Sequence, residues 1–345
     1  MSQSRGKAKA EPPLFESASA ASLGGALEVI RDDLGRVEDL LNGSFESRLG
    51  TLPDAFGYSV RAGGKRLRPA LVLLSTLATG RAVRPEVIQL AAGLEAIHIA
   101  SLMHDDVVDH SQTRRGAQSV NRRWGDEVSI LLSDFIFSST LAQMCAFVPI
   151  EVIRMVAETV TRMCEAELEQ FENRGNLAFS EEQYLGMIHA GTADLMATCC
   201  RAGALVAGAK ESSCLLMWEF GTKVGTAFQM VDDLLDFVGD PARTGKPHGK
   251  DLLEGKITLP LIHSLDRWDG ESRQVLHRVL GRGQAEPAEL EALTDSVVRA
   301  GGVDYALACA RDLVQEAKGS LWPLPASPGL DSILALADFV VQRDC

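Results

Sequence analysis

Two short acidic stretches, LMHDDVVD at 102–109 and QMVDDLLD at 229–236, share the pattern D-D-x-x-D within apolar sequence. On an α-helix the first and last aspartates of this pattern stand one turn apart, where like charges repel unless a cation lies between them. Mg²⁺ prefers such oxygen ligands and often joins one or two carboxylates to substrate phosphates. Either stretch alone also fits a solvated helix face or a cap, but the repetition favours metal ions and a diphosphate. The predicted metal shell is Asp105, Asp106, Asp109, Asp232, Asp233 and Asp236.

Two basic stretches provide the cations that a diphosphate site also needs. In RAGGKRLRP at 61–69, the paired glycines let the backbone approach a phosphate, while Lys65 supplies a point charge and Arg68 a planar fork. Further on, the adjacent Arg114 and Arg115 point in different directions and can serve two phosphate groups. A salt-bridged surface loop is the alternative for the first stretch.

One histidine aligns with the first acidic stretch. His98 lies seven residues before Asp105, which is two helical turns and roughly the same face. A histidine on an apolar helix is commonly a core residue, but this alignment favours a role facing phosphate.

Size and charge limit the classes of protein that fit. The chain has 345 residues, of which 46% are hydrophobic and 23% charged, so it can bury a large core. The net charge of −13 argues against a nucleic-acid partner. Seven cysteines without a C-x-x-C pair fit reduced thiols, which predicts a cytoplasmic location. We find no apolar run of about 18 residues and predict no membrane span.

Apolar residues recur at helical spacing along most of the chain. The predicted helices include 70–77, 87–104, 153–171, 184–207 and 215–237. The uncharged stretch 135–150 is predicted to be a further buried helix that can also wall an apolar tunnel. Because strand and hairpin signals are missing, we predict an all-α fold, with a disordered tail at 1–21 and one domain at 22–345 whose antiparallel helices surround a deep central cavity.

The sequence resembles the trans-isoprenyl diphosphate synthases, or polyprenyl synthetase family. The motifs that carry the resemblance are GGKRLRP at 63–69, IHIASLMHDDVVD at 97–109, RRG at 114–116, EAELEQ at 165–170, GTAFQMVDDLLDF at 225–237 and TGKPHGKDLLEGKITLPL at 244–261. The resemblance implies a homodimer that uses Mg²⁺, up to three ions per site, to condense isopentenyl diphosphate head-to-tail with an allylic diphosphate.

The resemblance also implies roles for residues that match the family motifs. Those holding isopentenyl diphosphate would be Lys65, Arg68, His98 and Arg115. Those around the allylic diphosphate would be Arg114, Thr192, Gln229, Lys246 and Lys256. Those most directly involved in catalysis would be Asp105, Asp109, Arg114, Asp232 and Lys246, which stabilise the leaving diphosphate while a carbocation forms.

Two local features bear on activity and product. In YLGMIHAGT, Gly191 stands where the family usually has a lysine that binds the allylic diphosphate. Ala100 and Ser101, the positions that limit product length in the family, are small, so we predict a product longer than farnesyl, with Phe147 as a candidate tunnel floor. The alternatives are a geranylgeranyl diphosphate synthase, a class I terpene cyclase and a non-catalytic subunit of a heteromeric synthase.

Overall fold

The computed structural model describes residues 19–44, 49–239, 249–268, 270–282 and 284–342, and it confirms the all-α prediction. The α-helices in chain order are α1 Ser19–Leu27, α2 Arg31–Gly43, α3 Thr51–Arg61, α4 Leu67–Ala78, α5 Pro85–Val108, α6 Val120–Trp124, α7 Asp126–Met144, α8 Ile150–Glu172, α9 Glu181–Ile188, α10 Asp194–Val206, α11 Glu211–Val238, α12 Lys250–Leu253, α13 Leu259–Leu265, α14 Gly270–Arg282, α15 Pro287–Arg299, α16 Gly302–Ser320 and α17 Pro328–Gln342. A 3₁₀ turn spans Glu28–Ile30, and a π-helix, His189–Ala193, joins α9 to α10.

Local sequence signals set several helix ends. Helix α5 begins with Pro85, whose fixed φ and missing N–H suit a first turn. Helix α9 begins after Ser180, whose Oγ accepts the backbone N–H of Gln183 at 3.2 Å while the Gln183 side chain accepts the Ser180 N–H at 2.9 Å. This reciprocal capping box fixes where the chain enters the helix that carries Tyr184.

The core is a set of helices in close contact around α11 and α10. Helix α11 packs against α10 and α16, α10 packs against α4, and α5 packs against α7. Glycine permits the closest approaches: a Cβ on Gly203 would lie 2.4 Å from the Val72 carbonyl oxygen, and one on Gly225 would lie 2.6 Å from the Ala193 Cα. The second approach holds the π-helix against α11, next to the second acidic stretch.

The prediction of one buried helix over 135–150 is wrong. Helix α7 ends at Met144, a turn follows, and α8 begins at Ile150 directly after Pro149. The stretch is not buried throughout either, since Cys145 and Ile150 are exposed. Lack of charge suggested a single buried element, but uncharged composition does not mark where a helix ends, and Pro149 cannot continue a helix from the residues before it.

A small hairpin was not expected from the sequence. Strand β1, Thr113–Arg114, pairs antiparallel with β2, Ala117–Gln118. The two turn residues Arg115 and Gly116 have φ of 53° and 78°, as a two-residue hairpin turn of type I′ requires. Two-residue strands are too short to show an alternating pattern, and the turn carries arginine where asparagine or aspartate is usual.

Helix α5 bears on the prediction that the chain has no membrane span. Among the described residues, Pro85–Val108 is long and apolar enough to cross a membrane by length and composition alone. The sequence shows no uninterrupted apolar run here, because polar residues are spaced along the helix. Since 72% of its most apolar stretch is buried against other helices, it has the character of a core helix.

Two further features are the N-terminal end of the chain and its cysteines. Residues 1–18 of the predicted tail lie outside the described residues, and α1 begins at Ser19. Within the described ranges the cysteines are free thiols, and Cys199 and Cys200 are buried in α10.

Candidate active site

The first acidic stretch lies at the C-terminal end of α5, where Asp109 follows the last helical residue. Asp106 is 2% exposed and accepts a hydrogen bond from Arg114 Nε at 2.8 Å. Arg114 is held in place by β1. Burial and the neighbouring Glu167 raise the pKa of Asp105 to about 7. This carboxyl group therefore lies where positive charge would stabilise its ionised form.

Two cations contact the last carboxylate of this stretch. Arg174 Nη2 lies 3.2 Å from Asp109 Oδ1, and Lys256 Nζ lies 3.1 Å from Asp109 Oδ2. Although burial alone would lower the pKa of Lys256, the carboxylates of Asp251 and Asp109 raise it above its usual value. Lys256, predicted to face the allylic diphosphate, thus carries its charge beside the first acidic stretch.

The second acidic stretch lies in the last turns of α11, and neutral donors hold its middle aspartate. Asp233, 6% exposed, accepts the Tyr184 hydroxyl at 2.6 Å on Oδ2 and Gln229 Nε2 at 2.7 Å on Oδ1. Burial and the nearby Asp251 raise the pKa of Asp233 to about 7. Asp236 accepts the backbone N–H groups of Lys250 and Asp251 at 3.1 and 3.0 Å.

The π-helix extends this network. Thr192 Oγ1 donates to Gln229 Oε1 at 2.9 Å, so the two predicted substrate-binding residues are in contact. Gln229 then donates to Asp233. A π-helix inserts one extra residue into a helix and is frequent at functional sites. Here it presents Thr192 to α11 while Gly191 faces Ala166 on α8.

The segment 250–256 connects the two acidic stretches. Lys256 contacts Asp109 of the first stretch. The carboxylate of Asp251 raises the pKa of Lys256 and also that of Asp233 in the second stretch. Within the described ranges, no three His, Cys, Asp or Glu side chains are gathered closely enough to hold a metal ion. The donor set still suits Mg²⁺, because the carboxylates are hard oxygen ligands and the raised pKa of Asp105 marks a place for positive charge.

A basic group lies next to the first acidic stretch. Burial and the guanidinium groups of Arg68 and Arg115 hold the pKa of His98 well below its usual value, and Arg114 acts in the same direction. His98 is 8% exposed. In its neutral ring one nitrogen donates a hydrogen bond and the other accepts one. The structure therefore brings together four of the residues predicted to bind diphosphates.

Two of the predicted basic residues lie over aromatic rings. The Arg68 guanidinium is 5.5 Å from the centre of the Phe228 ring on α11. The Lys65 amine is 5.2 Å from the centre of the Phe339 ring on α17. Aromatic faces attract cations without neutralising their charge, so these rings help to fix where the two side chains lie.

Arg66 has a different role from its basic neighbours. Its guanidinium is 9% exposed, ion-pairs with Glu38 and with the buried Glu95, the latter at 3.1 Å, and donates to the Val60 carbonyl oxygen at 2.9 Å. This side chain anchors the loop that presents Lys65 and Arg68.

Gly64 makes room for an arginine rather than for a phosphate. A Cβ at this position would lie 2.6 Å from Arg115 Nη1. Arg115 itself has a left-handed backbone, with φ of 53°, which is strained for a side chain of this size. The two basic stretches are therefore in direct contact, which their separation in the sequence did not reveal.

The remaining predicted residues divide into three cases. Ala100 is fully buried in α5, and Ser101 Oγ donates to the His98 carbonyl oxygen at 2.9 Å. Phe147 lies in the turn between α7 and α8, partly buried against the core. Lys246 lies outside the described residues, and its role stays a prediction.

Sequence reasoning missed three side chains in this region: Tyr184, Glu167 and Arg174. Tyr184 opens the segment compared with the family pattern, but its contact with Asp233 spans 49 positions. Glu167 falls inside EAELEQ, and Arg174 is the only charged residue between α8 and Ser180. That isolated charge was the available signal for Arg174.

The fold and the site define a class: an all-helical enzyme with two D-D-x-x-D stretches and a basic group suited to diphosphates. The sequence model of the family "Polyprenyl synthetase" matches residues 50–297. The chain therefore belongs to the polyprenyl synthetase family. It is a polyprenyl diphosphate synthase, a trans-prenyltransferase that condenses isopentenyl diphosphate.

Individual relatives agree over most of the chain. The heptaprenyl diphosphate synthase component 2 of Geobacillus stearothermophilus is 32% identical over 316 residues, 91% of this chain and 97% of that protein. A short chain isoprenyl diphosphate synthase of Methanothermobacter thermautotrophicus is 35% identical over 298 residues, 85% of this chain and 91% of that protein. A crystal structure of a Caulobacter crescentus polyprenyl synthase, complexed with calcium and isoprenyl diphosphate, matches with a TM-score of 0.90 and 31% identity, covering 96% of this chain and 100% of that one.

Proposed function

We propose that this enzyme extends an allylic diphosphate to a medium- or long-chain all-trans product, longer than farnesyl diphosphate and also longer than geranylgeranyl diphosphate. The observation that supports this is the size of two side chains one turn before Asp105 on α5. Ala100 is fully buried, and Ser101 is folded back onto the His98 carbonyl oxygen, so neither blocks a chain that grows along the helix. The heptaprenyl relative favours a long product, whereas the short-chain relative shows that identity at this level does not decide length.

The described side chains have distinct parts in the proposed reaction. Arg114 and Lys256, each beside an aspartate of the first stretch, are positioned to stabilise negative charge that develops on a leaving diphosphate. Thr192 and Gln229 orient the group next to Asp233. Mg²⁺, held by aspartates of both stretches, would add positive charge at the same diphosphate when bound.

The decisive test is a product-length assay on the purified protein with Mg²⁺, farnesyl diphosphate and labelled isopentenyl diphosphate. The expected product is longer than geranylgeranyl diphosphate, and addition of EDTA should abolish it. A product no longer than geranylgeranyl would identify the short-chain alternative. A terpene formed without isopentenyl diphosphate would indicate a cyclase, and activity that appears only with a second chain would indicate a non-catalytic subunit.

Two variants connect product length to α5. Replacing Ser101 or Ala100 by Phe puts a ring where the small side chains lie, and we expect a shorter product with turnover retained. The matched control is Ser138→Phe, at an exposed position on α7. An unchanged product in Ser101→Phe and Ala100→Phe would show that the chain does not pass this level.

We also propose that the enzyme is a homodimer. Helices α7 and α8 leave large apolar side chains exposed, among them Leu131 at 66% and Ile150 at 67%. Leu168 and Phe171 extend this surface along α8. Large exposed apolar patches mark interaction sites. Light scattering should give twice the mass of the 37.1 kDa chain, and Leu131→Glu should shift it to the monomer mass.

A further inference from the structure

The position of Gly191 accepts a side chain but does not have one. Its backbone is not in the left-handed region, and a Cβ there would lie 3.4 Å from the Ala166 Cβ, an ordinary van der Waals contact. A lysine at this position is therefore not excluded by the space next to its Cβ. The site lacks a positive charge at a point where the resemblance leads us to expect one.

A cation that the sequence analysis did not single out borders the same cluster of carboxylates. Arg174, in the turn after α8, contacts Asp109 at 3.2 Å. It also lowers the pKa of Glu167, opposing the effect of burial on that group. Glu167 is the neighbour of Ala166, the residue that faces Gly191. Arg174 and position 191 therefore lie on the border of one carboxylate cluster.

The surroundings of Arg174 fix its guanidinium at this place. The next residue, Gly175, donates its N–H to the Gly255 carbonyl oxygen at 2.8 Å, which ties the turn to the segment carrying Lys256. The guanidinium carbon lies 5.0 Å from the centre of the Phe171 ring. The side chain is 29% exposed, so it is partly withdrawn from water but still reaches the surface of the site.

The Arg174 guanidinium also has one N–H donor without a hydrogen-bond partner among the described residues. Arginine carries five N–H donors in a fixed fork that suits phosphate oxygens. The contact with Asp109 uses Nη2, whereas Nε is buried and has no hydrogen-bond partner among the described residues. Buried polar atoms are nearly always paired, so this donor leaves the guanidinium able to take a further acceptor, and its positive charge together with that of Lys256 would attract an anion.

We propose that Arg174 supplies to the allylic diphosphate the positive charge that position 191 lacks. This assignment rests on the proposed function, because it concerns the same substrate. It explains how the site keeps enough positive charge for a diphosphate although position 191 is a glycine.

A rescue experiment tests the assignment directly. Arg174→Ala should raise KM for the allylic diphosphate about tenfold or more, as expected for loss of a charge-assisted hydrogen bond, with KM for isopentenyl diphosphate unchanged within about twofold. Adding Gly191→Lys to Arg174→Ala should recover most of the loss, because the new amine returns a charge to the same cluster. No change in KM, or no rescue by the double variant, would overturn the proposal.

Three controls separate this role from a structural one. Arg174→Lys keeps a charge and should lose less than Arg174→Ala. Arg282→Ala removes an exposed arginine on α14 that pairs only at 3.8 Å with Glu289, and it should leave KM unchanged. Thermal unfolding without ligand measures whether the turn is damaged: a large fall in Tm that Gly191→Lys does not reverse, together with an unrescued KM, would assign Arg174 to stability alone.

A binding measurement keeps the test independent of turnover. Calorimetry with inorganic pyrophosphate and Mg²⁺ on the full chain should show weaker binding in Arg174→Ala and recovery in the double variant. If the wild-type protein makes no prenyl product but the binding pattern holds, the proposed function fails while the assignment of Arg174 as a diphosphate ligand stands. Equal pyrophosphate binding by Arg174→Ala and wild type would overturn that assignment.

Discussion

The two acidic stretches have the same aspartate pattern but different partners. In the first, the middle aspartate, Asp106, pairs with the Arg114 guanidinium, and Asp109 pairs with Arg174 and Lys256. In the second, the middle aspartate, Asp233, accepts hydrogen bonds from the neutral Tyr184 and Gln229. The middle aspartate of the first stretch is balanced by a full charge, and that of the second is oriented by dipoles.

This difference separates two ways of holding a buried carboxylate. A paired arginine offsets the charge but leaves a severe imbalance if it is removed. A hydroxyl or amide fixes the orientation and leaves most of the negative charge for another cation. Asp233 therefore depends more on an added cation, and Asp106 depends more on the protein's own arginine.

The largest effect is expected when the charged partner of the first stretch is removed. Arg114→Gln leaves Asp106 buried without its cation, and we expect the free energy of unfolding to fall by about 2–3 kcal/mol at pH 8, a value reduced from that of a fully buried pair because Arg114 is partly exposed. Urea unfolding at pH 8 and pH 5 measures it. A loss below that of Tyr184→Phe would contradict the comparison.

A smaller effect is expected at the second stretch. Tyr184→Phe removes one hydrogen bond to Asp233 without removing a charge, and the expected loss is about 1–2 kcal/mol. Because Asp233 then loses its fixed orientation, kcat should fall while KM for isopentenyl diphosphate stays unchanged. Unfolding and steady-state kinetics on one preparation give both values. Tyr305→Phe, which removes a hydroxyl–carboxylate hydrogen bond to Glu181 instead of Asp233, is the matched control and should leave kcat unchanged.

The smallest effect is a gain in stability. Mainly through burial, the folded protein raises the pKa of Asp105 to about 7, so it binds this proton more tightly than the unfolded chain does. That contribution is present at acid pH and is lost as pH rises through about 7, where the ionised group becomes unfavourable in the metal-free protein. Asp105→Asn should therefore raise the free energy of unfolding in EDTA by about 1 kcal/mol more at pH 8 than at pH 5, a value reduced from about 1.4 kcal/mol per pKa unit because Asp105 is only half-buried.

The control for this gain is Asp295→Asn, at an exposed position on α15. It should show no difference between the two pH values. If Asp105→Asn stabilises the protein equally at both, burial of the charge is not the cause.

Much of the fold and part of the site could be predicted from the sequence. Apolar residues at helical spacing identified the helices that become α4, α5, α8, α10 and α11. The same reasoning failed at 135–150, because composition without periodicity does not show where a helix ends. The resemblance put Thr192 and Gln229 around one substrate, and the hydrogen bond between them is a finding of the structure.

Other parts of the site depend on tertiary packing that no local pattern records. Tyr184 reaches Asp233 because the capping box at Ser180 and the close approach at Gly225 fix α9 and the π-helix against α11. Arg174 reaches Asp109 because the turn at Gly175 is bonded to Gly255. In both cases residues far apart in sequence meet through a backbone contact elsewhere.

The contact between Gly64 and Arg115 has a consequence for how this enzyme can be altered. The guanidinium occupies the volume that a side chain at position 64 would need, so the GGKRLRP loop and the RRG hairpin form one interlocking part. A chimera that takes only one of them from a relative would join surfaces that were shaped for different partners. The two segments are best exchanged as a pair, because a side chain at position 64 has to displace the Arg115 guanidinium and adopt a backbone with φ of 155°.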